Sequence, residues 1–223
     1  MSKNKVVVIN IGTKVIASTD KSLDKVFLKG LIGQISDILD KGLKVIVVTS
    51  GAIGAGMGLL DMKKRPVKLE ELQAAASIGQ SSLMHLYSGY FKERGYLAGQ
   101  ILLTREDFDD RARFLNIKKT IETLFSHKAV PVINENDTVS TEVNFVDDMT
   151  SKITRLARSS KCELGTGGMA SKLESIGRAT ASGVECVIAN GKTKNIIRDI
   201  IDGKRVGTRF KSSGSKRSIK MAW

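Results

Sequence analysis

The stretch Ala129–Asp148, AVPVINENDTVSTEVNFVDD, decides how the rest of the chain is read. Val130, Val132 and Ile133 make a short apolar run that stops abruptly at Asn134, Glu135, Asn136 and Asp137. A buried strand that delivers polar groups from its carboxyl end is how open α/β sheets build binding sites. The carboxylate of Asp137 can hold an ammonium, and the amides of Asn134 and Asn136 can hold a carboxylate, a set of contacts that suits a free amino acid. A polar turn that merely caps a strand would carry the same residues, so the surrounding chain has to decide.

Upstream, Lys5–Ile11 (KVVVINI) reads as a buried first strand ending at the turn Gly12-Thr13-Lys14. Apolar residues at helical spacing run from Phe27 to Leu39 within Ser22–Lys41, stopped by Gly42. Lys44–Val48 is the second strand, and the small residues of Thr49–Gly56 lead into a helix. That order makes a βαβ unit with a parallel sheet. Lys68–Gly95 predicts two helices broken near Gly79, with Leu69, Leu72, Ile78, Leu83, Met84 and Leu86 in the core. Gly99–Leu103 is a third strand, Arg105–Phe125 a helix with Leu115 inward, and Ala129–Ile133 the fourth strand. Alternation over Thr138–Phe145 suggests an edge hairpin. Thr166–Ser182 reads as a helix, Val184–Ala189 as a strand and Asn195–Ile201 as a last helix.

Two loops have the chemistry of anion seats. In Thr49-Ser50-Gly51-Ala52 the small side chains let backbone N–H groups approach an anion at a helix start. Gly165-Thr166-Gly167-Gly168-Met169 does the same, with Lys172 about one turn in as a point charge for a phosphate. Ordinary helix entry would explain either loop alone.

At 223 residues the chain suffices for one substantial α/β domain. No apolar run reaches about 18 residues, and the start has no signal-peptide layout. Cys162 and Cys186 are too few and too isolated for a disulfide framework or a zinc site. These features predict a reduced, cytoplasmic protein that does not enter membranes. The net charge is +13, and residues 151–223 carry most of it, with 16 Lys and Arg against 5 acids. Nucleic acid, a membrane surface, nucleotide phosphates and a solvated basic face all fit that imbalance. His85 and His127 sit in helical contexts without a nucleophile or metal-ligand pattern.

VTSGAIGAG (Val48–Gly56), LQAAASIGQSSLM (Leu72–Met84), GQILLTREDF (Gly99–Phe108), VPVINENDTV (Val130–Val139) and GTGGMASKL (Gly165–Leu173) occur in one order and spacing. In these segments the chain resembles the glutamate 5-kinases of the amino-acid kinase family, over most of Val6–Phe210. The resemblance implies a three-layer αβα sandwich with a mainly parallel sheet, filling residues 1–210. Residues 211–223 would be a basic tail, with no C-terminal PUA domain. The activity implied is ATP-dependent phosphorylation of L-glutamate on its side-chain carboxylate, the first step of proline biosynthesis, with Mg2+ carried by the nucleotide. The implied partners are L-glutamate, ATP and further copies of the chain, as a dimer or tetramer, and not nucleic acid.

Carried over residue by residue, the resemblance puts glutamate at Ser50, Asp137, Asp148, Asn134 and Asn136. It puts ATP at Gly12, Thr166, Gly167, Gly168, Met169, Ala170, Ser171 and Lys172, with Lys172 neutralising the transferring phosphoryl group. Three departures stand out. Asn10 occupies the position of a first-strand lysine, and the FGDND pattern reads Phe145-Val146-Asp147-Asp148-Met149. Only sixteen residues separate Asp148 from Gly165, where the family has several tens more that seat the adenine and ribose. Those departures also fit a relative that binds ligand without effective turnover.

Overall fold

The computed structural model describes residues 5–16, 23–140, 153 and 169–212. β1 (Val6–Ile11), β2 (Lys44–Thr49), β3 (Leu97–Leu103) and β4 (Ala129–Glu135) form one sheet in the order β1-β2-β4-β3. Every pairing in it is parallel, with Val8 opposite Ile46, Val47 opposite Val132 and Ile101 opposite Ile133. Parallel strands need crossovers, and the long helices provide them.

Side chains alternate across a strand, so each strand feeds two cores. Val45, Val47, Val130 and Val132 pack with Leu28, Ile32 and Ile35 of α2 (Lys25–Asp40) and Leu83, Tyr87 and Phe91 of α4 (Leu69–Glu93). Ile46, Val48 and Ile133 pack on the other side with Ile117 and Ile121 of α6 (Arg111–Ser126). The result is a three-layer αβα sandwich, as the sequence predicts.

Local chemistry sets the helix starts. The Asp24 carboxylate accepts the Phe27 N–H at 2.9 Å to begin α2. The Asp110 carboxylate accepts the Arg113 N–H at 2.8 Å to begin α6, which splits the expected single helix Arg105–Phe125. A short α5 (Glu106–Asp109) lies before the split, and Leu115 is exposed rather than inward.

α4 corrects another expectation, because it runs unbroken through Gly79. That glycine serves packing rather than a break. A Cβ there would lie 1.8 Å from the Ala52 carbonyl oxygen and 2.4 Å from the Gly56 nitrogen, both in α3 (Ala52–Leu59). In return a Cβ on Gly56 would lie 1.7 Å from the Ala75 oxygen of α4. The two helices therefore touch backbone to backbone. Ala52, Ile53, Met57, Leu72, Ala75 and Ala76 fill the seam, while Leu69 and Ile78, expected in the core, are exposed.

β4 also runs two residues past the expected Ile133, so Asn134 and Glu135 belong to the strand and are buried. Thr138 and Val139 lie in a turn with Ser140 just after it, and residues 141–145 of the expected hairpin fall outside the described residues. α7 (Met169–Ala181) and α8 (Ile196–Ile201) follow. β5 (Cys186–Ile188) lies within the expected strand Val184–Ala189 and pairs antiparallel with β6 (Thr208–Phe210), a strand the sequence did not signal. α8 is tied to α2 by the Ile197 N–H donating to Gln34 Oε1 at 3.0 Å and by the Arg198–Asp37 ion pair. Among the described residues, no helix is long and apolar enough to cross a membrane.

The α3–α4 seam makes two glycines of one helix respond oppositely to the same change. Gly79→Ala should destabilise the chain by about 1–3 kcal/mol or more, since backbone cannot rotate away as a side chain does. Gly89, with nothing within 4 Å of its Cβ position, should gain roughly 0.5–1 kcal/mol on change to Ala. Urea denaturation midpoints of the two variants, read against the parent, check both signs.

Candidate functional site

Three strand ends meet at the carboxyl edge of the sheet, and each brings different chemistry. β1 hands over to Gly12 and α1 (Thr13–Ile16), β2 to Ser50 and Gly51, and β4 to the turn at Asn136 and Asp137.

The first two ends are stitched together through Ser50. Its N–H and its hydroxyl each donate to the Ile11 carbonyl at 3.2 Å, and the Thr13 hydroxyl donates to Ser50 Oγ at 3.0 Å. Gly51 then takes φ +107°, where a Cβ would meet Ile16 Cδ1 at 3.0 Å. α3 starts at once with no side-chain cap. Its first N–H groups have no intrahelical acceptor and can meet water or an anion.

A cleft of about 80 Å³ opens between that helix start and β4. Thr13 and Ser50 line one side, Asn134, Glu135 and Asp137 the other, and Arg65 from the α3–α4 loop borders it. Ser50, Asn134 and Asp137, picked out from the sequence, thus come together. Asn136 does not join them. Its side-chain oxygen accepts the Thr138 hydroxyl at 2.6 Å, and its N–H donates to the Leu103 carbonyl at 2.9 Å, so it builds the turn instead.

Lys172 reaches the same edge from α7. Its Nζ lies 3.6 Å from the Cβ position of Gly12, so the ammonium sits against the backbone at the end of β1. Asn10, opposite Val48 in the sheet, is exposed and neutral. Asp148, Thr166, Gly167 and Gly168 lie outside the described residues; Met169, Ala170 and Ser171 are described only as the first residues of α7. His85 and His127 are exposed. Among the described residues no group of three His, Cys, Asp or Glu is placed to hold a metal ion.

Sequence reading missed Glu135, Arg65 and Gln80. Glu135 stood inside the quoted run, and only the longer β4 turns it into the cleft wall, where it accepts the Ser140 hydroxyl at 2.8 Å. Arg65 sits in KKRP, which reads as a solvated charge run with no periodic signal. Gln80 is buried on α4, and its Oε1 accepts the Asn134 Nδ2–H at 2.7 Å.

The electrostatics of the cleft favour a cation. The carboxyl of Asp137 is pushed up to about 7, first by burial, then by the charge of Glu135, with Arg65 pulling the other way. The acid is weaker in the folded chain than its ordinary value of about 3.9. Ionising it therefore opposes folding: the cost is absent below about pH 4, grows between, and is complete above about 7. Asp137→Asn should accordingly raise the urea midpoint at pH 8 and change it little at pH 4.5. Equal effects at both pH values would show that Asp137 is not strained by its charge.

The comparisons fit this architecture. The amino acid kinase family matches residues 5–151. The chain is 32% identical to a glutamate 5-kinase of Thermoanaerobacter sp. (strain X514), over 97% of this chain and 70% of that one. It is 34% identical to a glutamate 5-kinase of Clostridium acetobutylicum, over 91% of this chain and 93% of that one. Among solved structures, T. acidophilum isopentenyl phosphate kinase superposes with a TM-score of 0.65 at 15% identity, covering 92% of this chain and 99% of that one. With this sheet, this cleft and these relatives, the chain belongs to the amino acid kinase family.

Proposed function

We propose that the cleft binds L-glutamate and that the chain transfers the γ-phosphoryl group of ATP to the glutamate side-chain carboxylate. The observation that carries this reading is the meeting of opposite chemistries at one sheet edge. A ligand ammonium finds Asp137 and Asn134, a carboxylate finds the uncapped start of α3 beside Ser50, and phosphate finds Lys172 against Gly12. The printed names of the relatives at about a third identity support glutamate as the acceptor.

Phosphoryl transfer depends on positioning and charge neutralisation more than on covalent work by the protein. A side-chain carboxylate oxygen attacks the γ-phosphorus in line, its bond to the β–γ bridging oxygen breaks, and ADP leaves with that electron pair. The products are ADP and glutamyl 5-phosphate, the acyl phosphate that opens proline biosynthesis. Lys172 offsets charge on the moving group, and the Gly12 backbone lets phosphate come close. Asp137 holds the amino acid by its ammonium. Thr166 to Ser171 would complete the phosphate loop, and Asp148 the glutamate pocket. A magnesium ion carried by the nucleotide would supply further charge neutralisation.

A second reading, a relative that binds glutamate but turns over poorly, rests on Asn10. It lies one residue before the end of β1 as an exposed neutral amide, where a lysine would bring a second positive charge toward the phosphoryl group. The alignment with the Photorhabdus laumondii relative runs to 268 positions against a chain of 223, so that relative has residues with no counterpart here. A shortened interval between 149 and 164, expected from the sequence, would weaken the seat for adenine.

Glutamate-dependent ADP release separates the two readings. Removing one charged transition-state donor typically costs about two to three orders of magnitude. Asn10→Lys should raise the rate by a similar factor if the remaining machinery is sound. A parent rate already typical of a working kinase would dismiss the poor-turnover reading. No glutamate-dependent ADP release from either form would reject the kinase proposal for this chain.

A further inference from the structure

We propose that Gln80 of α4 is a positioning residue that holds the Asn134 amide with its carbonyl oxygen turned toward the ammonium of the ligand. This deepens the glutamate reading and rests on it.

Asn134 is only 2% exposed, yet it lines the cleft. Its Nδ2 donates to Gln80 Oε1 at 2.7 Å, while its Oδ1 is buried with no hydrogen-bond partner. A buried acceptor left unmade is costly. Gln80 Nε2 is unpartnered too, but of the two amides only Asn134 lines the cleft, so its open acceptor is the one a ligand can meet. Gln80, 8% exposed, does not line the cleft, so it acts through Asn134 and not on the ligand.

The direction of the amide matters. If both amides were reversed, the hydrogen bond would survive, but Asn134 would present N–H groups to the cleft. Glu135 and Asp137 line the same cleft, so the group that docks beside Asn134 is a cation, and a cation needs the oxygen. Gln80 has little freedom to yield, because its neighbour Gly79 is pressed on the Ala52 carbonyl and its helix mate Tyr87 is buried, donating to Thr49 Oγ1 at 2.9 Å. The ammonium thus meets the Asp137 carboxylate and the Asn134 oxygen together, and Gln80 makes the second available.

Calorimetry with two ligands tests the assignment. Glutarate keeps both carboxylates of glutamate and lacks only the ammonium. At pH 8 the parent chain should prefer glutamate. Gln80→Met, close in volume and without the acceptor, should lose roughly tenfold or more in glutamate affinity and leave glutarate binding unchanged. Equal loss for both ligands, or no loss for either, would overturn the proposal and leave Gln80 a packing residue. If the Met variant does not fold, Gln80→Glu keeps an oxygen for Asn134 Nδ2 and should retain the preference for glutamate; loss of the preference there overturns the proposal too. Failure of the parent to bind glutamate would sink the glutamate reading and this one with it. Glutamate binding with an unchanged preference in Gln80→Met would sink the positioning role alone.

Discussion

The backbone contact between α3 and α4 is the constraint on which the site depends. Gly56 lies over the Ala75 carbonyl and Gly79 over the Ala52 carbonyl, closer than any side chain allows. α3 begins with the Ser50-Gly51 turn, so the contact fixes how near that turn stands to α4. It also fixes α4 against the sheet, where Gln80, Leu83, Tyr87 and Phe91 form one buried stripe. Gln80 meets Asn134 at the end of β4, and Tyr87 meets Thr49 at the end of β2. A helix pair held a few ångströms further apart would lose both ties. Close packing transmits such a shift instead of absorbing it.

The parallel sheet then does the sorting. All its strands point their carboxyl ends the same way, and order β1-β2-β4-β3 puts the ends of β1, β2 and β4 side by side. One end offers bare N–H groups, one offers acids, and one has a lysine ammonium beside it. Such an arrangement offers separate seats for cationic and anionic groups of one small molecule. The second small sheet lies apart from this edge in the chain and adds none of the residues that line the cleft.

The sheet and its layers were legible because apolar residues repeat at two periods that physics makes distinct. Val45, Val47, Val130 and Val132 announce strands, and the stripe of α2 announces a helix. What escaped the reading depends on partners far away in sequence. Gly79 looks like a helix breaker until Ala52 is seen against it, and Asp110 splits a helix because its carboxylate caps the next one. In the site, Ser50, Asn134 and Asp137 were legible as polar groups ending strands. Asn136 was not separable from them, since whether an amide faces a cleft or closes a turn turns on the φ/ψ of its neighbours. Arg65 left no local trace at all, because a loop residue earns its place only through the tertiary fold.

The cleft carries an electrostatic tension that its own residues leave in place. Glu135 and Asp137 are brought together in a half-buried space with Arg65 as the nearby opposing charge, and the weakened acidity of Asp137 measures that crowding. Arg65 is exposed and makes no ion pair with Asp137 close enough to cancel it. A guanidinium in direct contact would relieve the strain and also block the carboxylate from any ligand. Held at a distance, it moderates the field and leaves the oxygens available. Under the glutamate proposal, the ligand ammonium would stabilise the ionised acid and meet the Asn134 oxygen together, which Arg65 does not do. Binding energy and relief of folding strain would then come from the same contact, and the cost of the crowded cleft would fall on binding.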